Sequence, residues 1–207
     1  DQYIVDDSMI IPPLSEEEAK KVEIVRGPNI KFLPVPEAPT QYLCAPISLK
    51  GRDNISTDDI TPASAEFSSM RSNIPLMSQY CYHRYDPEFA ARAKAMGKSI
   101  IIGGENYGQG SSREHAPISI KASGVSCVIA ETFARIFYRN AINSGLPIIE
   151  CPQAAKEIQA GDEVEVDFDS GIITDVTTGK KFQGQAFPPF MQKIIDCEGL
   201  VNYINQK

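Results

Sequence analysis

Between Ser99 and Glu150 the chain alternates short apolar runs with punctuated helical stretches, and few folds accommodate that order. Ser99-Ile-Ile-Ile is too short for a helix and too uniformly apolar for a half-wet strand, so it predicts a strand buried on both faces. Val125-Ser-Cys-Val-Ile-Ala and Leu146-Pro-Ile-Ile-Glu repeat the pattern. Helical spacing fills the intervals. One helix is expected from about Ser112 to Ala122, and another from Thr132 to Ser144, with Phe133, Ile136, Phe137 and Ala141 on one face and Gly145 at its end. Strands separated by helices must run parallel with crossover connections.

The flanks add to this core. Tyr42-Leu-Cys-Ala-Pro-Ile-Ser-Leu reads as a strand whose Pro46 suggests an edge position. Asp86 to Gly97 reads as a helix, with Asp86 as N-cap, Pro87 in the first turn and Gly97 at the left-handed end. Asp162-Glu-Val-Glu-Val-Asp-Phe-Asp alternates with period two, Ile172-Ile-Thr-Asp-Val repeats the theme and Thr178-Gly-Lys makes a turn, predicting a small antiparallel sheet. Met191 to Asn205 is expected as a closing amphipathic helix. Residues 1–40, punctuated by Pro12, Pro13, Pro28, Pro34, Pro36 and Pro39, read as a Pro-rich linker segment, with one short helix from Ser15 through Lys21. The expected class is therefore α/β: residues 41–207 carry a parallel β-α-β core with crossover helices, a small antiparallel C-terminal sheet and a closing helix. The chain begins with Asp, which suggests a processed product or a fragment.

Composition narrows the function. Twenty Lys plus Arg against 27 Asp plus Glu give a net charge of -7, and no basic cluster offers a surface to nucleic-acid phosphates. No apolar run is long enough to span a membrane and the first residues lack a signal-peptide pattern, so a cytoplasmic location is expected. The five cysteines include no Cys-x-x-Cys or Cys-x-x-His pair, so no local metal knuckle exists. Cys127 and Cys151 lie in apolar stretches and are expected as buried, inert thiols.

The most informative stretch is Gly103-Gly-Glu-Asn-Tyr-Gly-Gln-Gly-Ser-Ser-Arg-Glu-His-Ala116, between a buried strand and a helix. It is neither a Walker loop, since Gln109 follows Gly108, nor a dinucleotide fingerprint, since Arg113 stands where a third Gly is needed. Its residues still suit an anion. Gly108 and Gly110 permit close backbone approach, helix-start amides carry positive potential, and Arg113 can hold a carboxylate with two hydrogen bonds. Two plainer readings stand beside this one. Ser111-Ser-Arg-Glu114 satisfies the capping-box pattern, which would make Ser111 only a cap. Ser111 and His115, four apart, suggest a Ser–His hydrolase, but the Gly-x-Ser-x-Gly elbow is missing.

Tyr107-Gly-Gln-Gly-Ser-Ser-Arg-Glu-His-Ala116 resembles the signature of the swivel domain of aconitases and isopropylmalate dehydratases. Asp53-Asn-Ile-Ser-Thr-Asp-Asp-Ile-Thr-Pro-Ala63 resembles the aconitase Thr-Asp-His-Ile segment, Phe133-Ala-Arg-Ile136 with Asn140 and Gly145 resembles the following helix, and Val25-Arg-Gly-Pro-Asn-Ile30 is similar to the linker into the swivel domain. The resemblance implies a hydro-lyase that moves a hydroxyl by dehydration and rehydration, using a [4Fe-4S] cluster as Lewis acid. Carried over position by position, Ser111 is the base that removes the proton, Ser112 and Arg113 bind substrate carboxylate, Arg71 is the second substrate arginine and Asp58 is a buried acidic partner near the active site. Asp59 stands where aconitases carry His, and Gln109 replaces a Glu or Cys, which puts a proton relay through that His in doubt. The cluster cysteines lie outside this chain, so it is expected to bind no cofactor itself and to be inactive alone.

Three functions follow. The first is the C-terminal swivel domain of an aconitase-type enzyme acting on a hydroxy-tricarboxylate such as citrate or isocitrate, with the cluster-bearing domains on the same polypeptide. The second is a free-standing small subunit of an isopropylmalate or homoaconitate dehydratase, docking on a large subunit. The third, of another class, is a non-catalytic carboxylate-binding or regulatory module.

Overall fold

The computed structural model describes residues 6–31 and 41–206. Seven strands form one mixed sheet: β1 (Tyr42–Lys50), β2 (Ser99–Gly103), β3 (Val125–Ala130), β4 (Ile148–Glu150), β5 (Glu163–Asp167), β6 (Ile172–Asp175) and β7 (Lys180–Gln183). Their spatial order is β4-β3-β2-β1-β5-β6-β7. The first four pair in parallel, and β5 to β7 pair antiparallel. The expected α/β core is therefore present, but the antiparallel strands extend the parallel sheet rather than forming a second one.

That arrangement also corrects the edge position assigned to β1, which lies between β2 and β5. Pro46 is tolerated there for a local reason. The Ile47 N–H donates to Asp162 on the β5 side at 2.9 Å, so alternation turns the nitrogen of Pro46 toward β2. The β1–β2 register begins only at Ile47, and no ladder bond is missed.

Among the described residues there are ten α-helical segments and one 3-10 turn (Ser78–Tyr80): α1 (Glu16–Ala19), which joins neither core, and α2 (Thr57–Ile60), α3 (Ala65–Ser69), α4 (Ile74–Met77), α5 (Phe89–Met96), α6 (His115–Ala122), α7 (Arg135–Asn143), α8 (Pro152–Glu157), α9 (Pro189–Asp196) and α10 (Leu200–Asn205). The period of two splits the Ile run of β2 between two cores. Ile101 packs with Phe89, Ile120 and Phe137 from α5, α6 and α7, while Ile100 and Ile102 pack with Val164, Ala154 and Ile158 on the other face. Cys127 and Cys151 are buried in this second core, as expected, and burial pushes the Cys127 thiol up.

Several boundaries moved. α5 starts at Phe89 with Glu88 as its N-cap, while the Asp86 carboxylate accepts the Glu88 N–H at 3.2 Å in the preceding turn and pairs with Arg92. The short helix after Ser15 stops at Ala19, although its capping box with Glu18 forms. The closing helix is broken into α9 and α10, since Glu198 and Gly199 both adopt positive φ. There the chain crosses the end of α7, and a Cβ on Gly199 would lie 2.6 Å from the Asn143 carbonyl oxygen.

Candidate active site

Leaving β2, the Gly-rich turn zips against the Asp53–Thr57 segment. Asn54 N–H donates to the Glu105 carbonyl at 2.8 Å, Gly108 N–H to Ile55 at 2.7 Å and Thr57 N–H to Gln109 at 2.8 Å. Ser111 N–H then donates to Thr57 Oγ1 at 3.0 Å. The far side of the turn rests on α7. Tyr107 N–H donates to Thr132, and Ala134 N–H donates back to Tyr107, both at 2.9 Å. The Asn140 side chain donates to the Ser112 carbonyl at 3.1 Å. Three motifs, each about 20 to 50 residues from the next, are thus joined through main-chain bonds, which fix position more tightly than side-chain contacts do.

Beneath the turn sits an aromatic floor. Tyr107 packs edge-on to both Phe133 and Phe137, and its hydroxyl meets that of Tyr82 in a fully buried pair. Burial raises the Tyr107 phenol well above its ordinary value, so it stays neutral. Gly108 is buried on this floor with φ +81°, and a Cβ would lie 2.2 Å from Cγ of Phe137. Its hydrogen faces the floor, and the close approach at this position is to Phe137. Gly110, Ser111 and Ser112 are exposed above it.

The capping-box reading of Ser111 does not hold. α6 begins at His115, with Glu114 as its N-cap and no side-chain cap bond. Pro117 explains the late start: it lacks an N–H, which a helix tolerates only in its first turn. A helix running from Ser112 would need that N–H. Ser111 to Arg113 therefore form a loop ahead of the helix rather than its first turn. No hydrogen bond joins Ser111 to His115 among the described residues, so no Ser–His dyad forms.

Arg113 is the organising cation. Its side chain is 15% exposed, donates to the Thr61 carbonyl at 3.2 Å and pairs with Asp58. Burial lowers its pKa, yet a guanidinium remains charged. Its Nε is buried with no hydrogen-bond partner. Asp58 is not buried, contrary to expectation: its side chain is 54% exposed, because it points outward from α2 between the buried Thr57 and Ile60. Asp59 accepts hydrogen bonds from the Ser56 amide and hydroxyl, both at 2.8 Å, and completes a capping box on α2. Helix α2 is thus a shared platform, since Thr57 holds the Ser111 amide while Asp58 and Thr61 hold the Arg113 guanidinium.

A small cleft beside this platform is lined by Thr61, Pro62, Phe67, Arg71, Met77, Arg113 and His115. Arg71 is exposed at its rim. The two arginines named from the sequence therefore reach one cleft, across three short helical segments. His115 was not singled out as part of this cleft, although its place two residues after Arg113 was the available signal. Burial first, and then the charge of Arg71, hold its imidazole below the ordinary histidine value. It is neutral at pH 7. Among the described residues no three His, Cys, Asp or Glu side chains converge on a metal position, and Cys81, Cys127 and Cys151 are buried apart from any such set. The donors among the described residues therefore do not gather into a set that fits a [4Fe-4S] cluster.

Residues 68–154 match the model of the aconitase C-terminal domain. The 2,3-dimethylmalate dehydratase small subunit of Eubacterium barkeri is 61% identical over 154 residues, which cover 74% of this chain and 91% of that protein. The 3-isopropylmalate dehydratase small subunit of Lachnoclostridium phytofermentans is 59% identical over 155 residues, covering 75% and 91%. Among solved structures, a crystal structure of 3-isopropylmalate dehydratase from Methanocaldococcus jannaschii aligns with a TM-score of 0.69 at 34% identity, covering 80% of this chain and 94% of that one.

Proposed function

The chain belongs to the aconitase and isopropylmalate dehydratase superfamily, and on that premise we propose that it is the small subunit of a hydro-lyase acting on a substituted malate. The small-subunit alternative has better support than the aconitase-fragment reading, because relatives named as small subunits are covered over 89% or more of their own length. The substrate class changes with it, from a tricarboxylate to a hydroxy acid with two carboxylates.

The observation that carries the proposal is the shared platform: Thr57 to Thr61 fix the Ser111 amide and the Arg113 guanidinium together, and Arg113 lines one cleft with Arg71, to which Ser111 itself contributes no lining. Two guanidiniums match two carboxylates. Arg113 binds one in place of Asp58, whose exposed carboxylate occupies the fork in the free protein, and Arg71 takes the other. Such clamping fixes the acidic C–H against Ser111 Oγ and removes much of the entropic cost of the encounter. The Ser111 hydroxyl is exposed and makes no hydrogen bond among the described residues. It removes the proton beside a carboxylate, and Arg113, two residues away, lowers the cost of its anionic form once the large subunit covers the site and excludes water. Ser112 lies next to Arg113 and contributes a second hydroxyl to the carboxylate. Lewis-acid activation of the leaving hydroxyl would be supplied by a [4Fe-4S] cluster on the large subunit, with Ser111, Ser112, Arg113 and Arg71 of this chain binding and deprotonating the substrate.

The test combines the full chain with its cluster-bearing large subunit and follows turnover of 3-isopropylmalate and 2,3-dimethylmalate. Ser111→Ala should lower kcat at least about a hundredfold, the usual contribution of a positioned base, with KM nearly unchanged. Unchanged turnover removes Ser111 from the mechanism.

A further inference from the structure

Tyr82 stands between two parts of the site without reaching its surface. It is fully buried, and its backbone takes φ +59°, a left-handed conformation that glycine or asparagine adopts readily and a bulky aromatic residue rarely does. Its main chain is tied to the platform: the Tyr82 N–H donates to the Ile60 carbonyl at 2.9 Å, one residue before Thr61, whose own carbonyl holds Arg113. Its side chain is tied to the turn, since the hydroxyl meets that of Tyr107, one residue before Gly108. One residue thus holds both the Arg113 end of α2 and the root of the loop that carries Ser111.

Core packing accounts for only part of this. The Tyr82 ring lies edge-on to Phe89, with centroids 4.8 Å apart, and to Tyr85 at 6.3 Å. Its carbonyl accepts the Tyr85 and Asp86 N–H groups, both at 2.7 Å. A phenylalanine would keep every one of those contacts. The hydroxyl is what it would lack, and a dry core does not favour a hydroxyl. Neither member of the pair forms another side-chain hydrogen bond among the described residues, so one of the two protons has no acceptor. Two phenylalanines would fill the same space with no polar atom to bury. The pair therefore adds a directed link where packing alone would let the two sides slide.

Helix α2 depends on such links, because a single helical turn does not hold its own shape. Its N-terminal end is bonded to the turn through Thr57, and the carbonyl of Ile60 at its C-terminal end accepts the Tyr82 N–H.

We propose that Tyr82 is a positioning residue for proton abstraction: its hydroxyl, acting through Tyr107, sets where the Ser111 loop stands relative to Arg113. This rests on the roles given to Ser111 and Arg113 above. The link to α2 runs through the main chain and the link to the loop through the hydroxyl, so a substitution can cut the second and keep the first.

The experiment compares Tyr82→Phe, Tyr107→Phe and the double variant, each assembled with the large subunit, with Ser111→Ala as control; it reads kcat, KM and thermal unfolding. Tyr82→Phe keeps the N–H on Ile60, so Arg113 keeps its place and KM should stay within about twofold. Its kcat should fall at least about tenfold, since a displaced base loses rate steeply. Each single variant leaves one buried hydroxyl unpaired and should lower Tm. The double variant leaves none, so its Tm should return toward wild type while kcat stays low. Recovery of kcat together with Tm in the double variant would mean that the pair serves stability alone, which overturns the proposal. Wild-type turnover in Tyr82→Phe, with Ser111→Ala inactive, overturns it too and leaves the reading of Ser111 intact. Normal turnover in Ser111→Ala removes that reading and this one together. Should a single variant fail to fold, kcat of the double variant decides.

Discussion

Replacing Gly108 by alanine would place a methyl carbon 2.2 Å from Cγ and 2.5 Å from Cβ of Phe137, a ring that is 2% exposed and stacked on Phe133. Neither ring has room to retreat in a close-packed core. The backbone is also in the left-handed region at φ +81°, where a side chain costs about 1–2 kcal/mol. Overpacking adds about 1–3 kcal/mol, for a total of about 2–5 kcal/mol. Gly110 provides the control. It too has positive φ, +103°, but its added Cβ would meet only Thr57 Oγ1 at 3.4 Å and Ser56 Cβ at 3.9 Å, both ordinary contacts. Gly110→Ala should therefore cost the backbone term alone, about 1–2 kcal/mol. At about 3 °C per kcal/mol for a chain of this size, Tm should fall by roughly 3–6 °C for Gly110→Ala and roughly 6–15 °C for Gly108→Ala. Thermal unfolding followed by circular dichroism measures both. If Gly108→Ala proves no more destabilising than Gly110→Ala, the aromatic floor does not dictate the glycine and its conformational reading fails.

Other outcomes follow from the same geometry. Arg113→Lys replaces a fork with a point charge, so KM of the assembled enzyme should rise at least tenfold, whereas Asp58→Asn should tighten binding of malate to the free chain in an NMR titration by removing the carboxylate that competes for Arg113. His115 has a folded-state pKa below its ordinary 6.5, so the unfolded chain binds the proton more readily and this residue subtracts stability as pH falls below about 6.5. His115→Gln should therefore lose less stability than wild type between pH 6.5 and pH 5, and parallel urea-midpoint profiles would contradict that assignment. In the native state a thiol reagent should reach Cys44 and Cys197 while Cys81, Cys127 and Cys151 react only after unfolding, and early labelling of Cys127 would contradict the second core.

The parts of this protein that could be read in its sequence are those in which local chemistry and tertiary context agree. The Ile run of β2 is apolar because both faces of the strand are covered, and the run shows that directly. The motif at Tyr107–Ala116 carried its meaning in residue types alone, and the structure adds which surfaces those residues touch. The misreadings have a common cause, namely partners distant in sequence. Pro46 signals an edge by itself, yet the staggered register of β2 makes it harmless at the centre of the sheet. Burial of Asp58 is what the family resemblance implies, but the one-turn helix α2 directs Thr57 and Ile60 inward and leaves Asp58 facing Arg113. The break at Gly199 depends on how close α7 passes. The late start of α6, by contrast, was legible: Pro117 fixes it, and the capping-box pattern at Ser111 drew attention away from that signal.

The most direct measurement is exchange of the substrate's acidic C–H with D2O, followed by mass spectrometry, in the complex of this chain with its large subunit. Wild type should incorporate deuterium at the carbon beside the carboxylate in each dehydration–rehydration cycle. Ser111→Ala, with 3-isopropylmalate bound at near wild-type affinity, should exchange at least about a hundredfold more slowly. Exchange at the wild-type rate in that variant would mean another group takes the proton, and the role assigned to the Thr57–Thr61 platform would be wrong.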